Sequence, residues 1–177
     1  MYIFLGIIVL IIILIIFLYN RIVSLNVRCN NAWASIDNQL KRRADLIPNL
    51  VEVTKGYAKH ESETLEKIVL AGNESISDKA KQSEEISKGL NKLFALTENY
   101  PELKANELFQ NLQIELVGTE DKIAYARQFY NDTVQHFNTA IMMFPNNIFA
   151  KMLNFKEKEY FKVSDEDRKR VDVKLWF

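Results

Sequence analysis

Between Tyr2 and Tyr19 the chain reads YIFLGIIVLIIILIIFLY, eighteen residues without a charged side chain. As a helix rising about 1.5 Å per residue this block reaches roughly 27 Å, close to the hydrocarbon thickness of a bilayer. Isoleucine-rich runs favour strand in water, but in lipid every backbone N–H and C=O must be bonded inside its own segment, which selects helix. Tyr2 and Tyr19 stand where interfacial aromatic residues belong. A cleaved signal peptide would instead carry a basic leader, a shorter apolar stretch and a small-residue cleavage site. None of these is in the block, so residues 1–20 are read as an uncleaved membrane anchor.

Beyond the anchor the apolar period changes to that of an amphipathic helix. One row runs Leu25, Cys29, Trp33, Ile36, Leu40, Ala44, Ile47, Val51, Thr54, Ala58 in steps of three or four. It keeps its phase across Pro48, which predicts one long kinked helix; the alternative is a fresh helix capped by Asp45. A second row runs Leu108, Leu112, Leu116, Thr119, Ile123, Ala126, Tyr130, Val134, Phe137, Ile141 and predicts a long helix over 106–143, ended by Pro145. The mean step of about 3.7 residues in both rows disfavours a left-handed heptad coil and favours a globular bundle. Shorter helices are expected over 62–71 and 78–97, and the Ser-, Lys- and Glu-rich stretch 74–85 reads as a solvated connection.

These elements define an all-α chain: an N-terminal transmembrane helix, then an antiparallel up-and-down helical bundle with two long helices. The expected organisation is an anchor over 1–20, a bundle over 21–162 and a charged, extended tail over 163–177. Long helices of roughly 55 Å bring the end of the last one, near Pro145, back toward the bilayer. There Ile148, Phe149 and Met152, with Lys151 among them, have two readings: a membrane-surface or partner contact, or closure of the base of the core. The tail ends Val171-Asp172-Val173-Lys174-Leu175-Trp176-Phe177, whose alternation suits an extended segment crossing the bundle or offering Trp176 to a partner.

Charge then sets the orientation. The 23 Lys plus Arg and 23 Asp plus Glu balance, which gives no bulk attraction for nucleic acid. Arg21, Arg28, Lys41, Arg42 and Arg43 all follow the anchor and no basic side chain precedes it, so the body is expected in the cytoplasm and the N-terminus outside. Candidate chemistry is sparse. Neither His60 nor His136 has a second His or a Glu at metal-binding spacing, and the glycines stand too far apart for a phosphate loop. No catalytic residue, metal or cofactor is expected. Cys29 falls on the apolar row and reads as a core thiol, and Tyr125, Phe129, Tyr130 and Phe137 read as core packing. One polar set remains. Arg43, Asn49 and Glu52 flank the first row while Glu120, Arg127 and Asn131 flank the second, forming a polar cleft, a partner contact or a set of boundary residues.

Three stretches carry a resemblance to a known family: residues 39–52 (QLKRRADLIPNLVE) running on to Lys55-Gly56-Tyr57-Ala58-Lys59-His60-Glu61, then Tyr100-Pro101-Glu102-Leu103-Lys104-Ala105-Asn106, then Ala124-Tyr125-Ala126-Arg127-Gln128-Phe129-Tyr130-Asn131 with Phe144-Pro145. The chain resembles the LemA family of bacterial membrane proteins. The resemblance implies an N-terminal anchor and an antiparallel helical bundle. It implies no established reaction, and associates some members with membrane proteases. The expected function is a single-pass, membrane-anchored scaffold or adaptor with a protein partner and no enzymatic activity. The alternative is a small-molecule or lipid-binding bundle at the membrane surface.

Overall fold

The computed structural model describes residues 2–57 and 76–162; the helix expected over 62–71, the extended tail and Trp176 lie outside them. Among the described residues there are five α-helices and no strand. They are α1 (Tyr2–Lys55), α2 (Ile76–Leu96), α3 (Pro101–Lys104), α4 (Glu107–Met142) and α5 (Asn146–Met152), with a 3₁₀ turn at Thr97–Asn99 between α2 and α3. The fold is thus the helical bundle with two long helices that the apolar rows imply.

The anchor and the first amphipathic row are a single helix of 54 residues. Pro48 lies inside it, which excludes a fresh helix capped at Asp45. Proline removes one backbone hydrogen bond, here to the carbonyl of Ala44, and both residues are exposed, so water is free to serve that carbonyl. Residues 2–17 of α1 are all exposed, whereas Leu18 and Ile22 are buried. α4 is preceded by Asn106, whose side-chain Oδ1 accepts the Phe109 N–H at 3.0 Å and caps the helix. α5 ends in a Schellman motif. Asn154 adopts φ 56°, the Asn154 N–H donates to Lys151 O at 3.2 Å, and the Phe155 N–H reaches Ala150 O at 2.9 Å. Phe144–Pro145, just before α5, is a cis peptide bond.

The described residues form two compact units, one from residues 2–38 with Ile123–Tyr160, the other from residues 39–57 and 76–122 with Phe161 and Lys162. In the first, Ile22, Cys29, Ala32 and Ile36 of α1 and Ile123, Ala126, Tyr130, Val134, Phe137 and Ile141 of α4 are buried. Trp33 meets the edge of Tyr130 at 5.5 Å between ring centres. The Cys29 thiol donates to Thr133 O at 3.5 Å. α1 and α4 run antiparallel there, since Trp33 pairs with Tyr130 and Cys29, earlier in α1, pairs with Thr133, later in α4. The extended strip 155–162 is tied back to α4: Asn138 Nδ2 donates to Lys158 O and the Lys158 N–H donates to Asn138 Oδ1, both at 2.9 Å, while Tyr130 Oη donates to Glu159 O at 2.9 Å.

In the second unit, Ile47, Leu50 and Val51 of α1, Ile86, Leu90 and Leu93 of α2, Leu103 of α3, and Phe109, Leu112 and Leu116 of α4 close one apolar core. Phe94 meets Phe109 edge to face at 6.3 Å.

Two rows need correction in detail. Leu108 is exposed and Phe109 takes its inward place. Ala44 is exposed, and the inward position of that turn belongs to Arg43. The apolar row selected the alanine because it is apolar, whereas helical phase from Ile36 and Ile47 points to the arginine. The connection expected over 74–85 is also corrected, because residues 76–85 are the first turns of α2, with Ala80 and Ser83 buried. Their small polar surfaces resemble a loop in composition, yet Ser83 faces the core to meet Arg43.

Candidate functional site: a buried arginine clasp

Arg43 is 1 % exposed, the largest of the fully buried side chains in the described residues. Burying an unpaired guanidinium is prohibitive, so its surroundings must supply acceptors. They come from two other helices of the same unit. Nη1 donates to Glu120 Oε2 of α4 at 2.7 Å and to Ser87 Oγ of α2 at 3.0 Å. Nη2 donates to Ser83 Oγ at 2.8 Å and Ser83 O at 3.1 Å. Ser83 and Ser87 are four residues apart and so share one face of α2. The Ser87 hydroxyl reaches both Ser83 O at 2.8 Å and Glu120 Oε1 at 2.9 Å, and its one hydrogen serves one acceptor at a time. Glu120 is 38 % exposed, so the carboxylate is the wet end of the clasp and the guanidinium its dry end. One turn before Arg43, Gln39 Oε1 is buried and has no hydrogen-bond partner among the described residues.

The Arg43 guanidinium is a rigid planar fork of donors, so these bonds fix its orientation. The arrangement fixes the axial and rotational setting of three helices, because sliding any one by a residue breaks several bonds together. Of the expected polar set, the structure brings Arg43 and Glu120 together. Asn49 and Glu52 are exposed on α1, away from that pair, and Arg127 and Asn131 are half-buried on α4 in the first unit. Ser83 and Ser87 were missed; their i,i+4 spacing on the face of Ile86 and Leu90 was the available signal.

The first unit has a different feature, an open groove of about 720 Å³ between two helix faces. Arg21, Leu25, Arg28 and Asn31 of α1 form one wall, and Phe129, Asp132, Thr133 and His136 of α4 the other. Elsewhere on α4, Tyr130 is pushed up to about 12 by burial and by the neighbouring Cys29 and Glu159, and burial likewise raises the Cys29 thiol. Tyr130 and Phe137 are core residues, but Tyr125 is 74 % exposed and Phe129 is exposed one turn along. The expectation that this whole aromatic series packs inward is therefore corrected: Tyr125 and Phe129 fall off the phase set by Ala126, Tyr130 and Phe137. Ile148 and Met152 are exposed too, so they do not close the base of the core; Ala150 and Asn146 do, with Phe149 half-buried and Phe155 edge-on to Phe137 at 6.2 Å. Among the described residues no group of three His, Cys, Asp or Glu side chains is placed to hold a metal ion.

A helix long and apolar enough to cross a membrane, continuous with an all-α bundle stapled by a buried arginine, defines an anchored helical-bundle class. The chain belongs to the LemA family, whose sequence signature matches residues 32–175, and that family is membrane-associated. It is 30 % identical over 152 residues to Protein LemA of Metamycoplasma hominis, covering 81 % of this chain and 68 % of that one. It is 25 % identical over 182 residues to the magnetosome protein MamQ of Magnetospirillum gryphiswaldense, covering 81 % of this chain. It spans 64 % of that MamQ, less than two thirds of its length. Over 72 residues it is 35 % identical to MamQ 2 of Paramagnetospirillum magneticum, of which it covers 26 %.

Proposed function

We propose that this protein is a single-pass, membrane-anchored scaffold that holds a protein partner beside the bilayer and carries out no covalent chemistry of its own. The observation that carries the reading is the continuity of α1, which passes from sixteen exposed, charge-free residues into packed helical surface without a break. Such a rod transmits position and has no use for a mobile reactive loop. Charge after the span favours a cytoplasmic body. Tyr125 and Phe129, large and exposed on a helix whose other face is packed, have the chemistry of interface anchors.

Photocrosslinking in intact cells tests this. A benzophenone amino acid replaces Tyr125 or Phe129 in the full-length chain, with Gln135 on the same helix as control. Discrete adducts from the aromatic positions alone support the scaffold, and a membrane protease is one partner class to seek among them. Adducts from none of the three positions would refute it.

The groove between Arg21, Arg28 and His136 favours a second reading, a small-molecule or lipid-binding bundle. That reading requires a ligand-dependent rise in melting temperature of the purified chain.

A further inference from the structure

The antiparallel register of the first unit locates the end of α4 against the span. Thr133 is opposite Cys29 and Tyr130 opposite Trp33. Residues nine beyond Thr133 therefore stand level with residues nine before Cys29, which sets Met142, the last residue of α4, beside Asn20, and the turn through Phe144 leaves the helix at that level. Leu18 and Ile22 are buried where all of residues 2–17 are exposed, as this register demands. The surface that covers them is itself greasy on its outer side. Met142, Met143, Phe144, Ile148, Met152 and Leu153 are all exposed, Phe144 at 79 % and Met152 at 76 %. An apolar face this dense is unfavourable against water. It begins at the level where the charge-free block ends, so it continues the lipid-facing surface of α1.

Charge agrees with that placement. Residues 142–156 contain two lysines, Lys151 and Lys156, and no acid, and Arg21 follows the span directly. Cations beside an apolar face are the composition that settles at the boundary between anionic headgroups and acyl chains.

We infer that the turn after α4 and the helix α5 form a second membrane contact, with Phe144, Ile148 and Met152 inserted into the interfacial zone of the leaflet that α1 exits, and that the occupant of this face is lipid. The inference rests on the anchor reading of α1. The contact makes the first unit sit down on the bilayer, where its arginine-lined groove opens beside the headgroups.

The test uses the full-length chain in vesicles of phosphatidylcholine and phosphatidylglycerol. Cys29→Ala removes the native thiol, and an environment-sensitive nitrobenzoxadiazole label is placed singly through Phe144→Cys, Met152→Cys, Gln128→Cys or Ile11→Cys; circular dichroism verifies each fold. Labels at 144 and 152 are expected to be quenched by lipids bearing a shallow nitroxide and shielded from iodide, with Gln128→Cys showing the reverse. Labels at 144 and 152 that iodide reaches as readily as it reaches position 128 would overturn the inference. Shielding from both quenchers would overturn it as well, because a protein surface, such as a second copy of the chain, would then be the occupant. The label at position 11 separates the two failures. Quenching there by a deep nitroxide, with water-exposed labels at 144 and 152, sinks only this inference; no quenching there sinks the anchor reading too.

Discussion

Replacing Arg43 by methionine keeps much of the apolar stem and removes the charge. Losing one partner of a buried ion pair costs about 3–5 kcal/mol when the survivor stays buried. Glu120 is 38 % exposed and is free to turn toward water, which lowers that share to about 2 kcal/mol. Ser83 then loses two donors. Its carbonyl keeps the Ser87 hydroxyl at 2.8 Å, but its own buried hydroxyl loses the guanidinium, worth about 1 kcal/mol more. The expected loss is about 3 kcal/mol, roughly a hundredfold in the unfolding constant. Urea unfolding of the full-length chain in dodecyl maltoside, followed by far-ultraviolet circular dichroism, measures it as a shift in midpoint at constant slope. The decisive comparison is a cycle with Glu120→Met and the double variant. Each single change strands a partner and the double strands neither charge, so the double should lose at least about 1.5 kcal/mol less than the sum of the singles. Additivity within about 0.5 kcal/mol, or an Arg43→Met chain as stable as the parent, would refute the clasp.

Tyr130 makes stability pH-dependent at the alkaline end. Its pKa rises from 10.0 to about 12 in the folded chain, so its contribution is complete below pH 10 and is lost as pH climbs through about 12. Tyr130→Phe should flatten the decline in unfolding free energy between those limits, and an unchanged slope would count against burial and the neighbouring Cys29 and Glu159 as its cause. Asn138→Ala removes both bonds to Lys158, so it should cost about 1–3 kcal/mol and speed proteolytic cleavage within 155–162; a cleavage rate equal to that of the parent would show that the clamp does not hold the strip.

The long helices were readable because their rows persist over many turns, and errors at single positions average out across nine steps. The same averaging hid the clasp. A row drawn through apolar residues takes Ala44 and passes by Arg43, although Ile36, Arg43, Ile47 and Leu50 share the buried side. The acceptors of that charge have no local signature, since they lie 40, 44 and 77 residues away in sequence. The pairing of Arg43 with Glu120 was accessible as a possibility from their places beside the two rows; the spacing of the serines on the face of Ile86 and Leu90 was overridden, because Ser83 stands in a stretch whose composition matches a connection. Tyr125 and Phe129 failed in the opposite way. Large aromatic residues suggest burial, and only the phase of Tyr130 and Phe137 reveals that they face out. The strip 155–162 has no period at all, and it is held by side chains of α4 that nothing in its own residues announces.

The absence of a joint between span and body in α1 has a geometric consequence. In an α-helix each residue advances about 1.5 Å and turns about 100°. Inserting one alanine after Asn20 would therefore turn Leu18 by about 100° relative to Ile22, so that the two no longer share the buried face, whereas a flexible leash would absorb the extra residue unnoticed. The neck of this protein is accordingly an angular gauge, in which residue count sets the direction the charge-free block faces relative to the packed surface of α1.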